Sequence, residues 1–420
     1  MYKYSLIVIM FFFSAVIQAQ DKYTISGYVR DASTGEELIG ANVYIESLKT
    51  GGSSNLYGFY SVSVPFGAYT VTYSYMGYET KKVQIDLNKN IRENIELTPK
   101  VLTSETIVVT AEAADKNIKS VEMSAIEINP AKIGPIPILL GEQDILKTIQ
   151  LMPGVQSTGE GNSGFYVRGG GADQNLVLLD EAPVYNASHL LGFFSVFNSD
   201  AIKDVKLFKG SAPAEYGGRL SSVLDIKMKE GNSKEYTFIG GIGLISSRLT
   251  FQGPIVKDKG SFIISGRRTY ADLFLKLTED LKDIELYFYD LNMKANYRLG
   301  SNDRLFLSGY FGRDVFYMTG TQGSNWGNST FTLRWNKLYS DKLFSNTSLI
   351  YSNYDYEIKV GDVHRYPDVT AAIRNYNLKS DFQYFANTQN TLKYGLNLIH
   401  YTFIPGEVAA SEENAVNYKK

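Results

Sequence analysis

From Leu286 to Leu299 the chain alternates without a break. Tyr287, Tyr289, Leu291, Met293, Ala295, Tyr297 and Leu299 fall on one side of an extended strand. Asp290, Asn292, Lys294, Asn296 and Arg298 fall on the other. Successive strand side chains point to opposite faces, so one face is apolar and aromatic while its back is polar and charged. A strand with lipid outside and water inside carries this pattern. A sandwich strand in a soluble protein alternates too, but seldom sets so long a charged face against so aromatic an apolar one.

The pattern recurs from Tyr236 onward. Short polar connections at Pro254–Gly260, Gly300–Asp303, Ser340–Lys342 and Ala386–Asn390 alternate with longer ones at Ala271–Glu285, Asp314–Asn328, Glu357–Thr370 and from Ile404 on. Transmembrane barrels have this asymmetry, with short turns on one side and long loops on the other. Continuous alternation would make Tyr236–Gln252 a single strand. A chain that starts the barrel from the periplasmic side needs a hairpin there instead, near Gly240–Gly243, which brings the count to about nine strands of usual length.

The preceding sequence reads differently. Between Tyr23 and Pro99 short strands are predicted at Tyr23–Val29, Ala41–Ser47, Gly58–Val64, Tyr69–Tyr75, Lys82–Leu87 and Ile91–Leu97, with turn chemistry at Ser33–Gly35, Thr50–Asn55 and Met76–Gly77. Short strands at this spacing predict a small β-sandwich. An α/β segment follows over 118–234. Ile145, Leu146, Ile149 and Met152 share one face of a helix predicted over Glu142–Met152, stopped by Pro153-Gly154. Strands are predicted at Phe165–Gly169, Leu176–Asp180, Ile202–Phe208 and Val223–Met228.

Composition sharpens the compartment. The 420 residues include 31 Tyr and 23 Phe against 2 Trp, which suits an interfacial aromatic belt. The absence of cysteine excludes disulfide and thiolate chemistry. A net charge of −2 gives no bulk attraction to nucleic acid, and none is expected as a partner. Residues 1–19 read as an export signal: Lys3, an apolar run from Leu6 to Ile17, and a small-residue cleavage site ending at Ala19. An exported chain with lipid-facing strands points to the outer membrane and its lipid.

Motifs then reach known families. Gly27-Tyr-Val-Arg-Asp31, Thr34-Gly-Glu36, Gly40-Ala-Asn-Val43 and Gly58-Phe-Tyr-Ser61 resemble the carboxypeptidase-regulatory-like domain over 20–99. That segment has no His-x-x-Glu pair and no His at all, so no peptidase activity is expected. Leu151-Met-Pro-Gly-Val155, Val167-Arg-Gly169, Val177-Leu-Leu-Asp-Glu181, Lys209–Arg219 and Ser222–Ile226 resemble, in order, the plug domain of TonB-dependent outer-membrane receptors. In the linker over 100–117, Glu105, Thr106, Ile107, Val108, Val109, Thr110 and Ala111 are similar to the TonB box of that family. A short strand there can add to the sheet edge of a partner; a last sandwich strand, or the first strand of the next domain, is the alternative.

The fold expected is thus mainly β: a small sandwich, an α/β plug over 118–234, and over 235–420 the first part of an antiparallel transmembrane barrel. Plugged barrels have about 22 strands, so the chain is expected to be an N-terminal portion of a longer receptor. The resemblance implies import of a scarce, bulky nutrient, coupled to the periplasmic protein TonB and its inner-membrane motor, with the N-terminal domain in the periplasm. An outer-membrane-anchored binding or adhesion protein is the rival. The ligand stays open among siderophore, cobalamin, glycan and peptide.

Other chemistry is thin. Val167–Gln174 lacks the third glycine and the following helix of a dinucleotide site. His189, His364 and His400 are scattered, so no metal site or catalytic relay is expected, and no cofactor. His189 is a candidate ligand contact at the plug apex, or a hydrogen-bonded loop residue. The resemblance makes Arg168 and Arg219 candidates for docking the plug onto wall carboxylates; pairing within the plug, with Glu215 or Asp225, is the alternative. Arg248, Arg267, Asp290, Lys294, Arg298 and Arg334 are expected to line a solvated wall.

Overall fold

A computed structural model describes residues 22–100, 125–128, 144–157, 159, 164–318, 322–359 and 368–409. The signal sequence at 1–19 and the segment 105–111 lie outside them. The chain divides into two compact units: Met1–Thr103 with Leu338–Phe344 and Phe382–Lys393, and the remainder, Ser104–Lys337, Ser345–Asp381 and Tyr394–Lys420.

The first unit is a sandwich of β1 (Lys22–Asp31), β2 (Asn42–Ile45), β3 (Thr50–Ser53), β4 (Phe59–Pro65), β5 (Gly67–Ser74), β6 (Lys81–Leu87), β7 (Ile91–Arg92) and β8 (Ile95–Leu97). One sheet runs β4-β1-β7, with β8 also on β1; the other runs β3-β2-β5-β6. Alternate residues meet between the sheets, where Ile25, Val43, Val62, Val71 and Leu87 are buried. Thr50–Asn55, expected as a turn, supplies β3 instead. Its glycines let the backbone close on β2: a Cβ at Gly51 would lie 2.1 Å from the Val43 carbonyl oxygen. Ile91–Leu97, expected as one strand, is interrupted at Glu93-Asn94. There the Tyr60 hydroxyl donates to the Glu93 carbonyl (2.7 Å), and the Asn94 side chain accepts from the Tyr28 amide (3.0 Å). Two hairpin turns belong to this unit as well. Leu338, Phe344 and Phe385 bury Phe59, and Asp341 accepts from Ser26 and Arg92.

The second unit begins with the α/β segment: β9 (Ala125–Ile128), α1 (Ile145–Gln150), β10 (Val155–Ser157), β11 (Phe165–Val167), β12 (Asn175–Leu179), β13 (Ala182–Pro183), β14 (Ser188–His189), β15 (Phe194–Ser195), β16 (Ile202–Phe208) and β17 (Ser222–Met228). Its central sheet has the order β13-β12-β17-β16-β9, with β12 and β17 parallel. Helix α1 is shorter than expected because Asp144 caps it, accepting from the Lys147 amide at 3.0 Å. Ile145 and Ile149 sink into a core with Phe197, Val205, Leu207 and Ile226.

A nine-stranded antiparallel meander follows: β18 (Thr237–Ile242), β19 (Ser246–Val256), β20 (Gly260–Thr269), β21 (Glu285–Arg298), β22 (Asp303–Met318), β23 (Gln322–Ser340), β24 (Leu343–Lys359), β25 (Asp368–Phe385) and β26 (Thr391–Ala409), with helix α2 (Ala271–Leu275) between β20 and β21. The first hairpin is present but turns at Gly243–Ser246, about three residues later than expected. Most of the long connection expected at 314–328 is strand, and so are 357–359 and 368–370. Phe316 faces Ser324 and Tyr317 faces Gly323 in a regular ladder. Backbone pairing needs no apolar side chain, so the ladder can run on where the alternation stops.

In β21 the usual sense of burial is inverted. Asp290, Asn292, Lys294 and Asn296 are 0–4 % exposed, while Tyr289 and Met293 on the back are 36 % and 42 % exposed. The polar face is covered by protein and the apolar face is open.

Candidate functional site

What covers that polar face is the α/β domain, and the contact is built from charge. Strands β12 and β13 are joined by a two-residue turn, Asp180-Glu181, pairing Leu179 with Ala182. Both turn residues have positive φ (46° and 76°). Such hairpin turns normally use Asn-Gly or Asp-Gly; a glutamate there is strained by about 1 kcal/mol or more. The strain aims two carboxylates at the wall. Lys294 Nζ lies 2.9 Å from Asp180 Oδ2 and also donates to the Met228 carbonyl at 2.9 Å. Glu181 accepts from Asn346 (2.9 Å) and Ser348 (2.5 Å), with Arg334 3.8 Å away. Arg304 and Arg334 also lie over the ring of Phe306, at 4.6 Å and 4.3 Å.

Burial alone would raise the pKa of both carboxyls. For Asp180 the cations Lys294, Arg334 and Lys227 outweigh it and hold the pKa below the ordinary value. For Glu181, Lys227, Lys379 and Arg334 outweigh it, and the pKa falls to about 2. Both are therefore ionised at neutral pH.

Two further pairs repeat this polarity. Asp200 takes Arg248 at 2.9 Å, and Glu230 takes Arg304 at 2.9 Å. Directly after Glu230, the chain leaves the domain past Gly231 (φ 83°), where a Cβ would lie 2.2 Å from the Phe262 carbonyl oxygen.

A second contact has the opposite polarity. Strands β14 and β15 form a small hairpin that presents His189 to the wall. Its Nδ1 is 2.7 Å from Asp314, and its Nε2 is 3.4 Å from Asp290 and 3.3 Å from the Tyr310 hydroxyl. The imidazole stacks on Phe288 with ring centroids 4.1 Å apart. Leu190, at φ 47°, donates its amide to the other oxygen of Asp314 at 2.7 Å. Arg267 bonds Asp290 and donates to the Ser195 carbonyl at 2.7 Å.

His189 thus sits buried between domain and wall, hydrogen-bonded to Asp314. Arg168 and Arg219 lie on exposed loops of the domain. Arg219 donates to the Gly218 carbonyl at 2.8 Å, and Gly210 lies beside the Arg168 guanidinium. The wall residues Arg248, Arg267, Asp290, Lys294 and Arg334, expected as a solvated lining, contact the domain instead. Asp180, Glu181, Asp200, Glu230 and Asp314 had no assigned role from sequence. The one available signal was the acidic pair closing Val177–Glu181, at the point where a glycine would ordinarily make the turn.

An α/β domain seated by ion pairs on the buried polar face of an outward-greased antiparallel sheet resembles the start of a plugged barrel. The comparisons agree. Residues 25–109 match the family model of the CarboxypepD_reg-like domain, and residues 139–222 match the TonB-dependent receptor plug domain. The first match runs into the 105–111 segment. The chain is 29 % identical over 148 residues to the ferrienterobactin receptor of Escherichia coli, covering 31 % of this chain and 19 % of that protein. It is 26 % identical over 259 residues to the TonB-dependent receptor SusC of Bacteroides thetaiotaomicron, covering 59 % of this chain and 25 % of that one. The solved siderophore receptor PirA of Acinetobacter baumannii shares the fold, with a TM-score of 0.52 at 17 % identity over 71 % of this chain and 50 % of that chain. The chain therefore resembles a TonB-dependent receptor with an N-terminal CarboxypepD_reg-like domain. It spans about a fifth to a quarter of the length of these curated relatives.

Proposed function

We propose that the chain forms the periplasmic domain, plug and first wall strands of an energy-coupled outer-membrane receptor that imports a scarce, bulky nutrient. The observation that carries this reading is the chemistry of the plug seat. Asp180, Asp200 and Glu230 meet Lys294, Arg248 and Arg304 through hydrogen-bonded ion pairs, and Glu181 accepts from Asn346 and Ser348 with Arg334 3.8 Å away. Such contacts hold a domain firmly, yet each can be exchanged for water when the domain is pulled away. A greasy seat could not be re-wetted so readily.

In this reading Glu105–Ala111 is the strand captured by TonB, whose inner-membrane motor supplies the work. Ligand binding on the outer side must favour one plug state for any signal to cross. Arg168 and Arg219 are kept as docking candidates on the exposed plug loops. A periplasmic N-terminal domain is supported by the two short turns at 338–344 and 382–393, which share its compact unit. Deleting Glu105–Ala111 from the full-length receptor is expected to abolish both cross-linking to TonB and energised uptake while ligand binding persists. Unimpaired uptake would refute the assignment of that segment.

A further inference from the structure

His189 has a carboxylate against each ring nitrogen, at 2.7 Å and 3.4 Å. A neutral imidazole has one N–H and can donate to only one of them; the imidazolium donates to both. Four titratable or charged groups surround the ring: Asp290 from β21, Asp314 and Tyr310 from β22, and Arg267 from β20. Two carboxylates thus face one guanidinium, and the imidazolium restores neutrality in a site closed to solvent. Asp314 also holds the amide of Leu190 in its left-handed conformation. The imidazole and the strained backbone of the hairpin are therefore fastened by one carboxylate.

We propose that His189 is a proton-dependent catch that fastens the plug hairpin 188–195 to the wall. Protonated, it closes the hairpin. Losing its proton loosens the hairpin while the Asp180-Glu181 turn stays docked. The direction of linkage follows from the surroundings. Burial lowers the pKa of His189, but Asp314 and Asp290 outweigh it, so the closed-state pKa lies above the ordinary 6.5. The catch is at full strength below 6.5 and weakens as pH rises through the closed-state value.

This inference rests on the plug being a removable domain. Its test involves neither TonB nor nutrient, so its failure would leave the coupling reading standing. The 420 residues contain no cysteine, and Ser188, beside His189, is buried. S188C in the full-length receptor, in outer-membrane vesicles, is labelled with a maleimide between pH 6 and 9. Rates are divided by those of S301C, on an exposed turn, to remove the intrinsic pH dependence of the thiol. The relative rate is expected to rise by up to about tenfold per pH unit across the window, and to be high and flat in S188C/H189Q. D314N keeps an acceptor for Leu190 but removes the charge beside the ring, and should move the rise to lower pH. A flat profile with His189 present would overturn the proposal, as would a D314N profile superimposed on the parent's. If H189Q fails to assemble, the D314N shift decides alone.

Discussion

The Asp180-Glu181 turn and the 188–195 hairpin lie within one short stretch of chain, and both fix the plug to the wall. They do so with opposite signs. At the turn the plug offers carboxylates and the wall offers Lys294 and Arg334. At the hairpin the plug offers an imidazole and the wall offers Asp290 and Asp314. The difference matters because cations hold the carboxyls of the turn below the usual carboxylate range, whereas histidine titrates near neutrality. One seat is constant, and the other responds to protons.

That contrast can be broken most forcefully at Lys294. K294M keeps the stem but leaves the buried Asp180 without the cation bonded to it, and should cost plug docking about 3–5 kcal/mol. The double variant K294M/D180N should recover much of the loss, because no lone charge remains. Both are read as the urea midpoint at which plug peptides lose amide-exchange protection in the full-length receptor.

Acid should act next. Against the raising effect of burial, Lys227 within the plug and Lys379 and Arg334 on the wall hold the Glu181 carboxyl at about 2, below its ordinary 4.5, so its contribution is present above 4.5 and is lost as pH falls toward 2. The whole shift corresponds to something on the order of 3 kcal/mol, of which docking supplies the part due to Lys379 and Arg334. The same exchange readout from pH 7 to 2 should show a plateau above pH 5 and then a decline. A decline beginning near neutrality would assign it to another group.

A smaller effect is expected at Arg248, whose pair with Asp200 is partly wetted, with side chains 24 % and 14 % exposed. R248A should shift the plug midpoint by about 1 kcal/mol or less, and less still in high salt. A loss matching K294M would erase the distinction between buried and wetted seats.

How much of this was legible follows from what a period of two encodes. Leu286–Leu299 announced its strand and its two faces, and the structure keeps them in the expected sense. The same pattern says which face is polar but not what rests on it. Lys294 and Arg334 therefore read as solvated wall, because their carboxylate partners lie far away in sequence: Asp180 is 114 residues from Lys294. The polarity of docking was hidden for the same reason. The glycines at 51–52 misled in the other direction, since a glycine that permits close strand approach looks like one that makes a turn. Strand ends beyond the alternating stretches, such as Tyr317–Met318 opposite Gln322–Gly323, were missed because backbone pairing alone extends them.

The most direct test of the whole account compares plug and wall in one urea titration of the full-length receptor in vesicles. Amide exchange is followed in peptides spanning 175–181 and 286–298. The plug peptide should lose protection at distinctly lower urea, with K294M moving that midpoint and leaving the wall's in place. Loss of protection in both peptides at one shared urea concentration, moved together by K294M, would contradict a plug held by separable polar contacts.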